Sequence, residues 1–245
     1  MANLGTCVIT GASRGIGAAT AKLAARAGFA VLVNYAGNRA AAEAVASDIA
    51  AAGGRALAHQ ADVSVDVEVS AMFDRAEAEL GPITGLVNNA GILTPSTTLD
   101  QMEADRLTRL FAVNITGSFL CAREAVRRIE GPGAIVNVSS RAAALGSPNE
   151  FIDYAASKGA IDSLTIGLSK ELGPRNIRVN AVRPGLIETE IHASAGDPGR
   201  VARMVSGVPM ARAGTAEEVA EAILWLLSDA SRYVTGSFID VSGGR

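Results

Sequence analysis

Tyr154 and Lys158 stand one helical turn apart in YAASK, so they share a face of any helix that carries them. A phenol near its ordinary pKa of about 10 is a poor base at neutral pH. Positive charge nearby lowers that value. The pair can then move a proton at an oxygen, giving it to a carbonyl under reduction or taking it from an alcohol under oxidation. Ser140, at the end of IVNVSS, can hydrogen-bond the same oxygen and favour charge developing there. Taken alone, Tyr154 and Lys158 read as a core contact beside a solvated lysine; what surrounds them decides.

A second chemical signal lies in VITGASRGIG, residues 8–17. Gly11 to Gly15 satisfies G-x-S-x-G, the turn that presents a hydrolase's serine, here Ser13. The same letters form T-G-x3-G-x-G, a loop able to wrap a dinucleotide phosphate. In that reading Gly11 makes the turn, Gly15 lets the backbone approach the pyrophosphate, and Gly17 lets the helix pack closely. Ser13, Arg14 and Ile16 then line the loop, and free N–H groups with a positive dipole face the phosphates. The hydrolase reading needs an acid and a histidine later in the chain, and only His59 and His192 are available. It also gives no reason for glycine at 17. The dinucleotide loop is the better reading, with the serine hydrolase a weak alternative.

These groups need a scaffold. Short apolar runs recur at 4–10, 29–35, 55–60, 84–89, 133–140, 177–182 and 236–241. Between the first four lie Ala-rich stretches of helical period, followed by Gly28, Gly53 and Gly81, where helix ends favour a left-handed residue. Strands alternating with helices predict parallel βαβ units. Near-continuous apolarity predicts a sheet covered on both faces. The expected fold is α/β: a Rossmann-type doubly wound parallel sheet of about seven strands, one dinucleotide-binding and catalytic domain over 1–245. Glu188–Gly214 breaks the rhythm with glycines and prolines and one short helix near 199–206. It reads as a flexible substrate lid at 188–212 or as a plain surface excursion.

The 245 residues are 49% hydrophobic, 19% charged and 4% aromatic, enough for a sizeable aliphatic core. A net charge of −3 offers no footprint for nucleic acid, and no apolar run matches a bilayer's thickness. The start lacks the charged and apolar regions of a secretory leader. Cys7 and Cys121 are isolated and read as buried free thiols of a reducing compartment, and with two histidines no metal site is expected. A cytoplasmic protein is the expectation.

In order along the chain come TGASRGIG, Asp62-Val63, Asn88-Asn89-Ala90-Gly91, Asn114, IVNVSS, Tyr154-x3-Lys158, PGLIET (184–189) and VTGSFIDVSGG. Together these resemble the short-chain dehydrogenase/reductase family across essentially the whole chain. The resemblance implies an oxidoreductase that moves a hydride between a nicotinamide and a carbonyl or alcohol. It implies that Lys158 also holds the nicotinamide ribose and that Asn114 positions a water in a proton relay; otherwise Asn114 is a cap or turn residue. It places Asp62 and Val63 at the adenine, with a plain helix N-cap as the alternative for Asp62. Asn89, Ala90 and Gly91 fall beside the cofactor rather than in a mere strand-ending turn. Pro184, Gly185, Ile187 and Thr189 fall at the nicotinamide end, unless Thr189 is simply solvated. Ser140 and Tyr154 are 14 positions apart, one more than is usual for the family, and the loop GSPNEF (146–151) can absorb the extra residue. That spacing leaves Ser139 as the alternative to Ser140 for facing substrate.

Preference for NAD(H) would require an acid at the end of the second strand. That strand ends VNYAGNR, with Tyr35 at the position and Ala36 after it. Arg14, helped by Asn38 or Arg39, can attract a 2′-phosphate, so NADP(H) is favoured over NAD(H). The substrate should meet Ile92, Leu93, Thr94, the loop 145–152 and the lid, a lining read as lacking an aromatic wall or a basic cluster. A small polyol, sugar or ketone fits, and the subgroup resemblance is to glucose-1-dehydrogenase-like and 3-oxoacyl-reductase-like members. Arg141 reads equally as a substrate contact or a solvated charge. Family members are usually homotetramers, and Ala155, Ala156, Gly159 and Ala160 can let helices approach, or can serve packing within one chain. A catalytically silent NADP(H)-binding sensor or scaffold is the non-enzymatic alternative; such proteins commonly lose catalytic residues that are all present here.

Overall fold

The computed structural model describes residues 4–245, apart from the side chains of His192 and Ser194. Seven strands make one all-parallel sheet: β1 (Thr6–Ile9), β2 (Ala30–Tyr35), β3 (Arg55–Gln60), β4 (Ile83–Asn88), β5 (Gly133–Val138), β6 (Ile177–Pro184) and β7 (Phe238–Val241). Each matches one of the seven apolar runs. Their spatial order is β3-β2-β1-β4-β5-β6-β7, so the chain starts in the middle, winds outward, then crosses back beside its first strand. Ligands of open α/β sheets bind where that reversal opens a crevice, here beyond the carboxyl ends of β1 and β4.

The helices are α1 (Gly15–Ala27), α2 (Arg39–Ala51), α3 (Asp66–Leu80), α4 (Ala104–Phe111), α5 (Gly117–Arg128), α6 (Ala142–Leu145), α7 (Ile152–Leu172), α8 (Ile191–Ser194), α9 (Arg200–Met204) and α10 (Ala216–Leu227). Side chains alternate across a strand, and the apolar runs serve two cores for that reason. In β1, Cys7 and Ile9 pack on α1, α2 and α10, while Val8 packs on the opposite face with α3 and α5. The edge strands β3 and β7 are only partly buried, unlike the central strands. Gly28 ends α1 at φ +112° and its N–H returns to the last turn, as the sequence requires of that glycine. Both cysteines are free and buried, and burial pushes each thiol up to about 12. Among the described residues no helix is long and apolar enough to cross a membrane.

The 188–214 stretch is better organised than its punctuation implies. Its two feet are pinned by Glu188 N–H to Gly214 O and Gly214 N–H to Leu186 O, both 2.9 Å. Above them Val201, Met204 and Val205 pack on Leu186, Val208 and Ala213, a satellite core of its own.

Candidate active site

The turn from β1 into α1 is held by its own Thr10 and by two neighbours, Asn34 of β2 and Asn89 after β4. Gly11 and Gly15 have φ of +61° and +53°, conformations that L side chains rarely adopt. Asn34 Oδ1 accepts the Gly11 N–H at 3.1 Å, and Asn34 Nδ2 donates to Ala61 O at 3.0 Å. Asn89 Nδ2 donates to the carbonyls of Thr10 and Gly11 at 2.8 and 3.0 Å, while Thr10 Oγ accepts the N–H groups of Asn89 and Ala90. A Cβ on Gly17 would lie 2.5 Å from Gly11 O and 2.6 Å from Asn89 Nδ2. Gly17 therefore packs the helix onto the loop itself, under the groove rather than in its wall. Thr189 closes over Gly15, 3.3 Å from where a Cβ would sit.

One cavity of about 520 Å³ runs from this loop to Tyr154. Its wall includes Gly11, Ser13, Arg14, Gly15, Ile16, Tyr35, Asn38, Asp62, Val63, Asn89, Ala90, Gly91, Ser140, Tyr154, Lys158, Pro184, Gly185, Ile187 and Thr189. Among the described residues no histidine lines it beside Ser13, and the His192 side chain lies outside them. Of the predicted cofactor residues, Arg39 stands apart: it is exposed, outside the wall, and 3.7 Å from Glu43 on its own helix. Arg14 lines the groove and makes no ion pair among the described residues, while Asn38 uses its side chain to cap α2. Asp62 is not a helix cap, since α3 begins at Asp66 behind Val65. Its Oδ1 takes the N–H and hydroxyl of Ser64, and its Oδ2 takes Arg109 at 3.3 Å. Burial opposes ionisation, but Ser64 and Arg109 outweigh it and hold the Asp62 carboxyl below its ordinary range. Arg109, which also lines the groove, had no sequence signal beyond its place on an amphipathic helix.

At the other end Lys158 is 4% exposed, and its Nζ donates to Val138 O at 2.7 Å. Burial pushes the ammonium down to about 8, with Asp162 pulling the other way. Nζ lies 5.6 Å from the centre of the Tyr154 ring. Tyr154 keeps some exposed area, yet protein crowds it closely enough to push its phenol up to about 12, against the Ser140 hydroxyl beside it. The lowering by Lys158 expected from helical spacing is not what governs the phenol here; desolvation is. Ser140, not Ser139, faces Tyr154. The loop 146–151 has left-handed backbone at Gly146, Ser147 and Asn149.

Asn114 sits in a π turn (Ala112–Thr116) between α4 and α5, neither a cap nor an ordinary turn. It is 1% exposed, and both ends of its amide are held within the chain: Oδ1 accepts Ile92 N–H at 2.8 Å, and Nδ2 donates to Ile92 O and to Ser157 Oγ at 3.0 and 3.2 Å. A Cβ on Gly91 would meet Asn114 Oδ1 at 3.4 Å and Lys158 Nζ at 3.6 Å, so glycine keeps that corner open.

The substrate end departs from expectation. It has an aromatic residue, Phe151, with the Arg200 guanidinium 4.7 Å from its ring centre. Arg200, Arg141 and Arg245 all line this end of the cavity, so basic residues do gather there. Two of them are committed to partners within the chain. Arg200 pairs with Glu150 at 2.7 Å, and that guanidinium holds the Glu150 carboxyl below its ordinary range against partial burial. Arg141 is committed within the chain: it pairs with Asp240 at 2.6 Å and donates to the main-chain oxygen of Arg245.

Comparison with known proteins agrees with this architecture. A family model described as enoyl-(acyl carrier protein) reductase matches residues 11–245. The chain is 56% identical to the uncharacterized oxidoreductase YgfF of Escherichia coli (strain K12), over 97% of this chain and 98% of that one. It is 41% identical to cis-4-hydroxycyclohexanecarboxylate dehydrogenase of Sinomonas cyclohexanicum, over 97% and 94%. A solved short chain dehydrogenase from Burkholderia cenocepacia J2315, in complex with NADP, superposes with a TM-score of 0.93 at 33% identity, covering 99% of this chain and 98% of that one.

Proposed function

The chain belongs to the short-chain dehydrogenase/reductase family and is an oxidoreductase, and from that premise we propose that it interconverts a carbonyl and an alcohol with NADP(H), using Tyr154 as the general acid and base. The observation that carries this reading is the meeting of Ser140, Tyr154 and Lys158 at one end of a single groove whose other end is the glycine loop. NADP(H), when bound, supplies or accepts the hydride. The residues present fit a dinucleotide: Gly11 and Gly15 in left-handed backbone, the N-terminus of α1, and the open corner at Gly91.

The chain's own groups do the rest. Gly11, Ser13, Arg14, Gly15 and Ile16 take the phosphates; Tyr35, Asn38, Asp62 and Val63 flank the adenosine. Asn89, Ala90 and Gly91 continue the floor. Pro184, Gly185, Ile187 and Thr189 hold the nicotinamide end, and Lys158 its ribose. A phenol near 12 keeps its proton at neutral pH, which suits donation to a forming alkoxide. Ser140 hydrogen-bonds that oxygen and favours its charge. Lys158 returns a proton to Tyr154, and Asn114 positions a water behind it. Ile191 and Arg200 on the 188–212 lid and Phe151 opposite shape the space for a small alcohol or ketone.

Arg14, with no ion pair among the described residues, and the lack of a carboxylate after Tyr35 support NADP(H) over NAD(H). The α7 face bearing Ala156, Gly159, Ser163 and Gly167 is not explained by packing within the chain: a Cβ on either glycine would meet nothing within 4 Å. This face suits close helix approach in a homotetramer, measurable by light scattering. The two buried thiols suit a reducing cytoplasm. The test is absorbance-monitored turnover of NADPH and NADH against a panel of ketones, sugars and polyols. Turnover faster with NADPH supports the reading; tight NADPH binding with no turnover across the panel favours the sensor instead.

A further inference from the structure

Both peptide groups of Tyr154 are held by side chains, and both of those side chains are tied to one neighbouring helix. The Tyr154 N–H is one of the donors that the start of α7 leaves without an intrahelical partner. Asp153 Oδ1 accepts it at 2.9 Å. The Tyr154 carbonyl accepts Ser157 Oγ at 2.7 Å. Asp153 is itself gripped by Arg106, with Nε to Oδ2 at 2.7 Å and Nη2 to Oδ1 at 3.3 Å. Ser157 Oγ accepts Asn114 Nδ2. Arg106 and Asn114 lie two turns apart on the continuous helical run α4–π turn–α5. Two rungs thus join that run to α7, one just before Tyr154 and one just after it. Arg106 Nη1 also donates to Pro95 O, in the loop that follows Leu93 of the cavity wall.

The outer rung is costly to keep if stability alone is at stake. The Asp153 side chain has 0% exposure and the Arg106 side chain 15%. Buried ion pairs are frequently no better than well-packed apolar residues, because both charges lose their water. A forked guanidinium on a carboxylate does fix direction as well as distance. We propose that Asp153 and Arg106 are positioning residues, which set the first turn of α7 against α4 so that the Tyr154 phenol faces Ser140. This rests on the reading of Tyr154 as the acid and base.

The test uses the full-length protein labelled with [13Cζ]tyrosine, with and without NADPH. Three tyrosines, at 35, 154 and 233, give three lines to compare. The double variant Arg106→Met/Asp153→Asn removes the rung without leaving a lone buried charge. It should move the Tyr154 line while those of Tyr35 and Tyr233 stay. With NADPH and ethyl acetoacetate, kcat should fall about tenfold to a hundredfold, the scale of a small misplacement of a catalytic group, with KM within about twofold. Arg106→Lys should fall between wild type and the double variant on both readouts, and it replaces the double variant if that protein does not fold. An unmoved Tyr154 line with wild-type kcat overturns the proposal. So does movement of all three lines together with a lower melting temperature, which marks a purely structural pair. If wild type does not reduce ethyl acetoacetate, the line positions decide alone. Tyr154→Phe is run beside them. Turnover retained there sinks the acid/base reading itself, whereas its loss with an unaffected double variant sinks the rung alone.

Discussion

Ser139 and Ser140 are neighbours in the chain whose hydroxyls do different work: Ser139 Oγ donates to Lys158 O at 3.2 Å and is sealed in the core, while Ser140 faces the Tyr154 phenol. Replacing each by alanine separates structure from chemistry. Ser140→Ala should lower kcat about 10²-fold, the scale for removing one donor from a developing oxyanion, with little change in melting temperature. Ser139→Ala should cost about 1 kcal/mol of stability, the worth of a typical hydrogen bond, and leave the chemistry nearly intact. Steady-state kinetics and urea titrations on both variants check this.

Lys158 is an internal cost to the fold. Its ammonium is depressed from 10.5 to about 8 by burial, a penalty on the order of 3 kcal/mol at neutral pH. For a base with a lowered pKa, the folded state binds fewer protons than the unfolded one between about 8 and 10.5. Stability contributed through this group therefore rises with pH across that window, and the full cost is felt below it. Lys158→Met should stabilise the cofactor-free protein at pH 7 by roughly 1–2 kcal/mol, since Val138 O loses its donor at about 1 kcal/mol. The gain should shrink near pH 10. Urea midpoints for both proteins at the two pH values measure it.

The two arginines predicted to read a 2′-phosphate differ in freedom. Arg14 sits in the groove wall with no ion pair among the described residues, whereas Arg39 is outside it beside Glu43. Arg14→Ala should raise the KM for NADPH about tenfold or more, the loss of a charge-assisted hydrogen bond, with the KM for NADH little changed. Arg39→Ala should move both KM values by less than about twofold.

Much of this was legible beforehand, because strand period, helix ends and the glycine loop are local signals. Cys7 and Ile9 alternate with Val8 in β1 as a doubly covered strand must, and Tyr154 and Lys158 share a face by spacing alone. What was not legible depends on contacts between distant segments. Asp153 reads as any surface acid until Arg106 is seen to meet it from α4. Arg200 and Phe151, 49 positions apart, meet only in the folded chain. The burial that lifts Tyr154 and lowers Lys158 arises only in the folded chain, so helical spacing alone overstated what the lysine does to the phenol.

The Arg200–Glu150 pair fastens helix α9 to the loop that leads into Tyr154. Arg200→Ala removes this latch and the stacking on Phe151. It should raise the KM of the best panel substrate about fivefold to tenfold, in line with 1–1.5 kcal/mol for such a partly buried contact. kcat should change less. Equal losses in both would point to a group acting in the chemical step instead.

The central claim concerns the Tyr154 phenol, and Tyr154→Phe tests it with the fewest assumptions. Turnover of the best panel substrate and NADPH affinity by fluorescence are measured on the same preparation. The account predicts a fall in kcat of about 10²–10⁴, the usual worth of a positioned acid or base, with NADPH affinity within about twofold of wild type. A variant that turns over at a rate close to wild type would contradict it, and the proton would then have to come from another group in the groove.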